Sequence, residues 1–171
     1  MAFVFYVISQ RNLNVDTITC NTWKVVDKEG KVRIDARTLA DGTASVAWID
    51  KNGQARMKAQ TFAEGQASVA WLDKDGIVRI IAGTFTEESA SVGFFDKNGK
   101  RRILAATADG EASVAFSDKN EKLRIGAGTS PDGDASVAWL DKDMNERISA
   151  GITSEGIVYL PTQDENPPKN P

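Results

Sequence analysis

The sequence contains six copies of a unit in which an Asp is followed six residues later by an Arg. Successive Asp residues are 23, 23, 23, 22 and 23 positions apart, and the pairs are Asp27 and Arg33, Asp50 and Arg56, Asp73 and Arg79, Asp96 and Arg102, Asp118 and Arg124, and Asp141 and Arg147. Each pair sits in a longer pattern, D-K-x-G-x-x-R-I-x-A, which is followed by G-x-A-S-V-A-W. A fixed period of this length means that one supersecondary unit is stacked repeatedly.

The composition is that of a folded globular protein without a strong charge preference. The chain has 171 residues, of which 41% are apolar and 26% are charged. Its 21 Lys and Arg are interspersed with 24 Asp and Glu, which gives a net charge of -3. Nucleic-acid binders usually cluster positive charge on one face, so we expect no nucleic-acid partner.

Apolar residues alternate along each unit, which is the period of two expected of half-buried strands. In residues 44–49, Ala, Val and Trp point to one face and the intervening residues to the other. Residues 50–53 then suit a four-residue turn with Asp first and Gly last. Pairing Ile49 with Gln54 across this turn places Trp48 opposite Ala55 and Val46 opposite Met57.

The alternation predicts an all-β fold, an antiparallel meander of about 13 short strands built from 23-residue β-hairpin repeats. The strands are expected near residues 21–26, 31–37, 44–49, 54–60, 67–72, 77–83, 90–95, 100–106, 112–117, 122–128, 135–140, 145–151 and 157–160. The single 22-residue step falls at residues 107–110, in a loop, so it leaves the strand faces unchanged.

One face of this sheet is predicted to form the structural core. It carries Val and Ala together with Trp23, Trp48, Trp71, Phe94, Phe116 and Trp139. The other face carries Ser, Ala, Arg and Lys and can meet water. Because each buried aromatic contributes about 2–3 kcal/mol, the apolar face must be covered. Self-closure of the sheet, homo-oligomerisation as a dimeric sandwich or trimeric prism, and packing on a different protein all stay open.

The two ends of the chain differ from the repeats, so we divide it into residues 1–17, a β-repeat domain at 18–160 and a polar, Pro-rich tail at 161–171. The first segment contains a short apolar run that is a candidate attachment segment: Phe3, Val4, Phe5, Tyr6, Val7 and Ile8. It is shorter than the roughly 18–20 residues of a membrane helix. It is therefore either a β-strand or the stub of a membrane anchor.

The repeat pattern, with D-G-x-A-S-V in its second half, resembles that of uncharacterised bacterial tandem-repeat proteins. The resemblance covers residues 18–152, and in those proteins an N-terminal membrane anchor often precedes a lead-in like residues 18–27. It implies an all-β repeat structure and a location at the bacterial cell envelope or membrane, and it brings no activity. Glu121 and Met144 depart from the pattern by replacing the turn Gly, which predicts a different turn geometry or strain.

The recurring polar residues are interpreted as structural. Each repeated Asp is expected to accept backbone N–H bonds within its turn, because two carboxylates per turn are too few for Ca²⁺. The Arg residues form a paired or solvated ladder, with a stripe for anionic ligands as the alternative. The hydroxyls of a recurring Thr are expected to cap backbone groups at Thr38, Thr61, Thr84, Thr107 and Thr129.

No constellation of residues points to catalysis. The chain has no His, a single Cys20 and no nucleophile elbow or phosphate-binding loop, so we expect no enzyme activity, metal or cofactor. We predict a structural or assembly role, as a scaffold or accessory subunit of a larger complex, with attachment of that complex to a membrane left open. Its partners would be copies of itself or other subunits. The alternative is a carbohydrate- or surface-ligand-binding module in which the aromatic residues are stacking platforms.

Overall fold

A computed structural model describes residues 20–86 and 89–160, which form one sheet of thirteen strands. The strands are β1 (Thr22–Val26), β2 (Val32–Thr38), β3 (Ala44–Ile49), β4 (Ala55–Thr61), β5 (Ala67–Leu72), β6 (Val78–Thr86), β7 (Ser89–Phe95), β8 (Arg101–Ala108), β9 (Glu111–Ser117), β10 (Leu123–Thr129), β11 (Ala135–Leu140), β12 (Glu146–Ile152) and β13 (Val158–Tyr159). All neighbouring strands are antiparallel, and the strand order equals the chain order. The predicted all-β meander is therefore confirmed.

The sheet is a single open layer. Each described strand contacts only the strand before it and the strand after it in the chain. The first strand, β1, does not pair with β13, so the described residues do not close into a barrel. Self-closure, one of the coverings that the sequence left open, is thus not how this part of the chain protects its apolar face.

The Asp turns close as the sequence predicts. At the β3–β4 turn, the N–H of Asp50 donates to the Gln54 carbonyl at 2.8 Å, and the N–H of Gly53 donates to the Asp50 carbonyl at 3.0 Å. The same pair of backbone bonds recurs at the other five repeated Asp residues. Gly53 has a φ of +84°, a left-handed conformation that glycine adopts without a steric penalty.

The strand register after each Asp turn differs from the prediction. Trp48 lies opposite Met57 rather than Ala55, and Ile49 lies opposite Ala55. The turn closes at Asp50 and Gln54, one position from the predicted Ile49–Gln54 pair, and Arg56 is the extra residue of a β-bulge that adds a second position. The same irregularity skips the repeated Arg in all six Asp hairpins. A two-residue shift keeps Trp48, Met57 and their row on the predicted face.

The short unit is accommodated in its loop, as predicted. Thr107 pairs with Ala112 and Ala108 with Glu111, which leaves a two-residue turn of Asp109 and Gly110. Their φ values of 51° and 80° are those of a type I′ hairpin turn, for which Asp-Gly is a preferred sequence. The strand faces on either side continue without reversal.

Candidate functional site

The apolar face of the sheet consists of three rows of side chains that run across the strands, each defined by residues directly opposite one another. The large row, next to the Asp turns, contains Val25, Ile34, Trp48, Met57, Trp71, Ile80, Phe94, Ile103, Phe116, Ile125, Trp139 and Ile148. The middle row contains Trp23, Ala36, Val46, Ala59, Val69, Ala82, Val92, Ala105, Val114, Ala127, Val137 and Ala150. The small row contains Thr38, Ala44, Thr61, Ala67, Thr84, Ala90, Thr107, Ala112, Thr129, Ala135 and, at its end, Ile152.

The structure brings the six predicted core-face aromatics onto one face, with one correction. Five of them lie in the large row, whereas Trp23 lies opposite Ala36 in the middle row. The reason is its distance from the turn, because Trp23 precedes Asp27 by four residues and Trp48 precedes Asp50 by two. Val25 is the true counterpart of Trp48.

The core-face prediction put Met57 on this face but opposite Val46, and it missed that aliphatic residues lie directly opposite the aromatic ones. Ile34, Met57, Ile80, Ile103, Ile125 and Ile148 lie directly between them in the large row. The signal was the recurring R-I dipeptide after each turn, which places a large aliphatic side chain next to the bulge Arg. The large row is thus an unbroken ridge of aromatic and aliphatic side chains.

This face has no cover within the single chain. Among the described residues no hydrophobic side chain is buried, and Trp23, Trp71 and Trp139 are 47%, 41% and 40% exposed. Phe94 and Phe116 are each 39% exposed. That these side chains form a core therefore stays a prediction, which requires something to lie on the face.

A groove follows the half of the sheet that carries the small side chains. It extends from β1 to β11, has a volume of about 1390 Å³ and is lined by the middle and small rows, including Val46, Val69, Thr61 and Ala67. The large row does not line it. The apolar face is therefore stepped, with a ridge near the Asp turns and a groove beside it.

A series of paired Asp and Arg side chains runs along the Asp-turn end of the sheet, and we call it the Asp–Arg ladder. In the β9–β10 turn, Oδ1 of Asp118 accepts the N–H groups of Asn120 at 2.7 Å and Lys122 at 3.2 Å. Its Oδ2 accepts Nε of Arg124 at 3.0 Å and Nη2 at 2.7 Å. The other five Asp residues accept the equivalent two backbone N–H groups, so the predicted turn role of the six Asp residues is confirmed.

Five of the six ladder Arg residues pair with the Asp of their own unit. The nitrogen–oxygen separations include 2.5 Å for Arg147, 3.7 Å for Arg79 and 3.9 Å for Arg56. Arg33 also donates to the carbonyl of Asp50, which joins one turn to the next. Arg102 makes no such pair among the described residues, and its Nη1 and that of Arg56 are buried without a hydrogen-bond partner.

The ladder holds its carboxylates in the charged form. At Asp118, partial burial raises the pKa. The N–H groups of Asn120 and Lys122 and the Arg124 guanidinium together lower it by more, so the pKa lies below its ordinary value. At Asp141, the N–H of Asn145 makes the largest contribution to a lowered pKa. These carboxylates are ionised at neutral pH, and their hydrogen-bond donors belong to the same chain.

The face opposite the three rows carries large apolar side chains besides the predicted Ser, Ala, Arg and Lys. Phe95, Ile81 and Leu104 occupy it in the middle of the sheet, and the Phe95 ring lies 3.2 Å from the place that a Cβ on Gly93 would take. Asp35 on the same face is only 7% exposed and pairs with Arg37 at 2.5 Å. These contacts shield part of the face locally.

The predicted capping by Thr is confirmed for two residues. The hydroxyl of Thr84 accepts the N–H of Ala67 at 3.2 Å, and that of Thr129 accepts the N–H of Ala112 at 3.3 Å. Both bonds join adjacent strands where β6 and β10 reach their loops. These two hydroxyls thus bind backbone groups at the edge of the apolar face.

The described residues contain no group of three or more Cys, Asp and Glu side chains placed to hold a metal ion. They also contain no helix that could span a membrane. The candidate attachment segment, Phe3 to Ile8, and the tail at 161–171 lie outside the described residues.

No protein-family model matches this chain. No curated protein is significantly similar to it. The resemblance to bacterial tandem-repeat proteins therefore remains a prediction, and the function must be argued from the apolar face itself.

Proposed function

We propose that this protein is a non-enzymatic structural or assembly protein, a β-repeat scaffold or accessory subunit whose apolar face is covered by protein in a larger assembly. The observation that carries the proposal is a sheet of thirteen strands without one buried hydrophobic side chain among the described residues. A folded chain gains most of its stability from burying apolar surface, and this surface is left for a partner.

The size of the face supports a protein partner. With strands about 4.8 Å apart, thirteen strands extend over about 58 Å, and three rows of side chains span about 17 Å. The resulting area is about 1000 Å², well above the roughly 300–600 Å² of the largest apolar patch on a typical monomer. Larger patches of this kind are typical of interaction sites.

The residue composition of the face also supports a protein partner. Within its strands, Thr is the only polar residue type in the three rows, and no charged side chain occurs there. The centres of protein interfaces are likewise depleted of charge and enriched in aromatic residues and Met. Repetition also gives the ridge a regular spacing, because each unit of two strands extends it by about 9.6 Å.

A carbohydrate- or surface-ligand-binding module is the second candidate. It is favoured by the partial exposure of a periodic row, of which Trp71, Phe94 and Trp139 are examples. Sugar recognition also needs hydrogen-bonding side chains beside the stacking rings. The Asp side chains of the Asp–Arg ladder are engaged by backbone N–H groups and by Arg, so they offer the rings few free hydrogen-bonding partners.

Tryptophan fluorescence of the full chain separates the two functions. The scaffold proposal predicts blue-shifted emission that iodide quenches poorly, because the indoles of the large row lie inside an assembly. Soluble polysaccharides should leave the emission unchanged. Red-shifted, easily quenched emission that a polysaccharide then protects would contradict the scaffold and support the binding module.

Membrane attachment through Phe3 to Ile8 is a separate part of the proposal. We expect the full chain to float with lipid vesicles and a variant lacking residues 1–10 to remain in solution. Equal behaviour of the two proteins would remove the membrane from the proposed function and leave the scaffold role in place.

A further inference from the structure

We propose that the occupant of the apolar face is a second copy of this chain, packed face to face about a two-fold axis that runs along the length of the sheet, perpendicular to the strands. The inference rests on the proposed function, because both require protein to cover the same face. It adds the identity of the partner and the orientation in which it docks.

The stepped shape of the face determines the orientation. The large row forms a ridge of residues such as Trp48, Trp71 and Trp139, whereas the groove of about 1390 Å³ lies over the middle and small rows. Two sheets that pack face to face are about 10 Å apart and fill the space between them closely. Ridge against ridge would force the sheets apart and leave the two grooves facing each other as a void.

Only one of the two simple rotations avoids this conflict. A two-fold axis parallel to the strands places ridge on ridge and lays β5 over β9 of the second copy. A two-fold axis along the sheet reverses the strand direction but keeps the strand order. It places the ridge of each copy in the groove of the other, with every strand over its own counterpart.

Area and charge are compatible with a stable dimer. Two faces of about 1000 Å² each would bury about 2000 Å² in total, the size at which obligate homodimer interfaces begin. The chain has a net charge of -3, but the three rows carry no charged side chain, and ladder Asp residues such as Asp118 and Asp141 are paired with Arg. Like charges are therefore not brought together at the interface.

The first test measures the mass of the full chain in solution by sedimentation equilibrium. We expect a dimer for the natural sequence. Val69→Asp places a charge in the middle row on β5, and it should raise the dimer dissociation constant by at least about a hundredfold. Val69 is only partly buried in the single chain, so the monomer should keep its far-ultraviolet circular dichroism spectrum.

Ala70→Asp is the matched control. Ala70 is the adjacent residue of the same strand, lies on the face opposite the three rows, where it pairs with Lys58, and does not line the groove, so this variant should remain a dimer. A natural chain that is monomeric up to about 100 µM, or one that is trimeric, would overturn the inference. Either result leaves the proposed function standing if the fluorescence test still finds the indoles protected in the native assembly.

The second test determines the axis by crosslinking in a Cys20→Ser background with a bis-methanethiosulfonate reagent, because sheets about 10 Å apart are too distant for a direct disulfide. With the axis along the sheet, Val69→Cys on β5 and Val92→Cys on the central strand β7 should each be crosslinked to the same residue of the second copy. With the axis parallel to the strands, only Val92→Cys should do so. A crosslink at residue 92 without one at residue 69, or no crosslink at either, overturns the proposed orientation.

Discussion

At the scale of single residues, the repeated Asp and Arg are coupled through the β-bulge. Oδ1 of each Asp closes the turn, and Oδ2 faces the Arg six residues later. The Arg is the bulged residue, and a bulge redirects its side chain relative to a regular strand. The constant six-residue spacing therefore reflects a geometry in which the extra residue reaches back to the turn that precedes it.

The ladder carboxylates should make stability depend on pH. The N–H of Asn145 and further hydrogen bonds hold the pKa of Asp141 below its ordinary value of 3.8. A lowered folded-state pKa contributes stability that is present above the unfolded pKa and is lost as pH falls through the folded value. We expect Asp141→Asn to lower Tm at pH 7 and the difference from the natural chain to shrink steadily below pH 4.

Thermal unfolding followed by circular dichroism between pH 7 and pH 2 provides the measurement. The control Asp132→Asn changes an exposed carboxylate at the opposite edge of the sheet, in the Ser130 turn, and should lower Tm by less at pH 7. A difference in Tm for Asp141→Asn that is constant over the whole range would contradict the linkage.

Strain in two turns predicts a substitution that stabilises the protein. Met144 occupies the position of the turn Gly with a φ of 68°, and Glu121 does so with a φ of 64°. The prediction of an altered geometry or strain is resolved in favour of strain, because both turns keep the geometry of the others. We expect Met144→Gly to stabilise the protein by about 0.5–1 kcal/mol in urea unfolding.

Gly53→Ala is the control for this change. Nothing lies within 4 Å of a Cβ at Gly53, so its φ of +84° is the only source of cost. Alanine there should lower the free energy of unfolding by about 1 kcal/mol. A destabilising Met144→Gly would mean that the Met side chain, although 50% exposed, makes a contact that outweighs the backbone strain.

At the scale of strands and turns, the sequence predicted the faces of the rows correctly and the register incorrectly. Ala55, expected opposite Trp48, pairs with Ile49 and lies on the other face. Alternation with a period of two assigns Val46, Trp48 and Met57 to one face, and a shift of two positions leaves that assignment unchanged. The alternation of apolar residues therefore could not predict the bulge at Arg56. Trp23 lies on the predicted face but in the middle row, because it precedes Asp27 by four residues whereas Trp48 precedes Asp50 by two.

Loops should tolerate a length change that strands do not. Insertion of one Gly between Asp109 and Gly110 restores the 23-residue period, and we expect the free energy of unfolding to change by less than about 1 kcal/mol. Insertion of one Ala between Val92 and Gly93 should abolish cooperative unfolding, because it reverses the faces of the following residues. Urea unfolding of both variants tests this, and similar effects of the two insertions would contradict it.

At the scale of the whole molecule, the sequence predicted that the apolar face needs a cover but not which cover it has. Curvature accumulates from small twists between neighbouring strands. Alternation at Val69 or Trp71 carries no information about that sum, so barrel closure and an open sheet were equally compatible with it. The stepped shape of the face could not be predicted for a similar reason, because the relative heights of the rows are defined only when all strands lie side by side.

Stability should scale with the number of units, because each strand contacts only its neighbours. Deletion of residues 50–72 joins Ile49 to Asp73 and recreates a normal turn sequence. We expect this variant to fold with an m-value in urea that is lower by roughly a sixth. An unfolded variant would show that the ends of the sheet depend on each other.

The order of the strands also affects how the chain is made. Paired residues lie at most 17 positions apart, as with Ala67 and Thr84, so each pairing closes only a short loop. Proteins dominated by such short-range pairings fold quickly, and N-terminal parts emerge from the ribosome first. Each new hairpin can therefore add to the edge left by the previous one during synthesis, without waiting for any residue near the C-terminus.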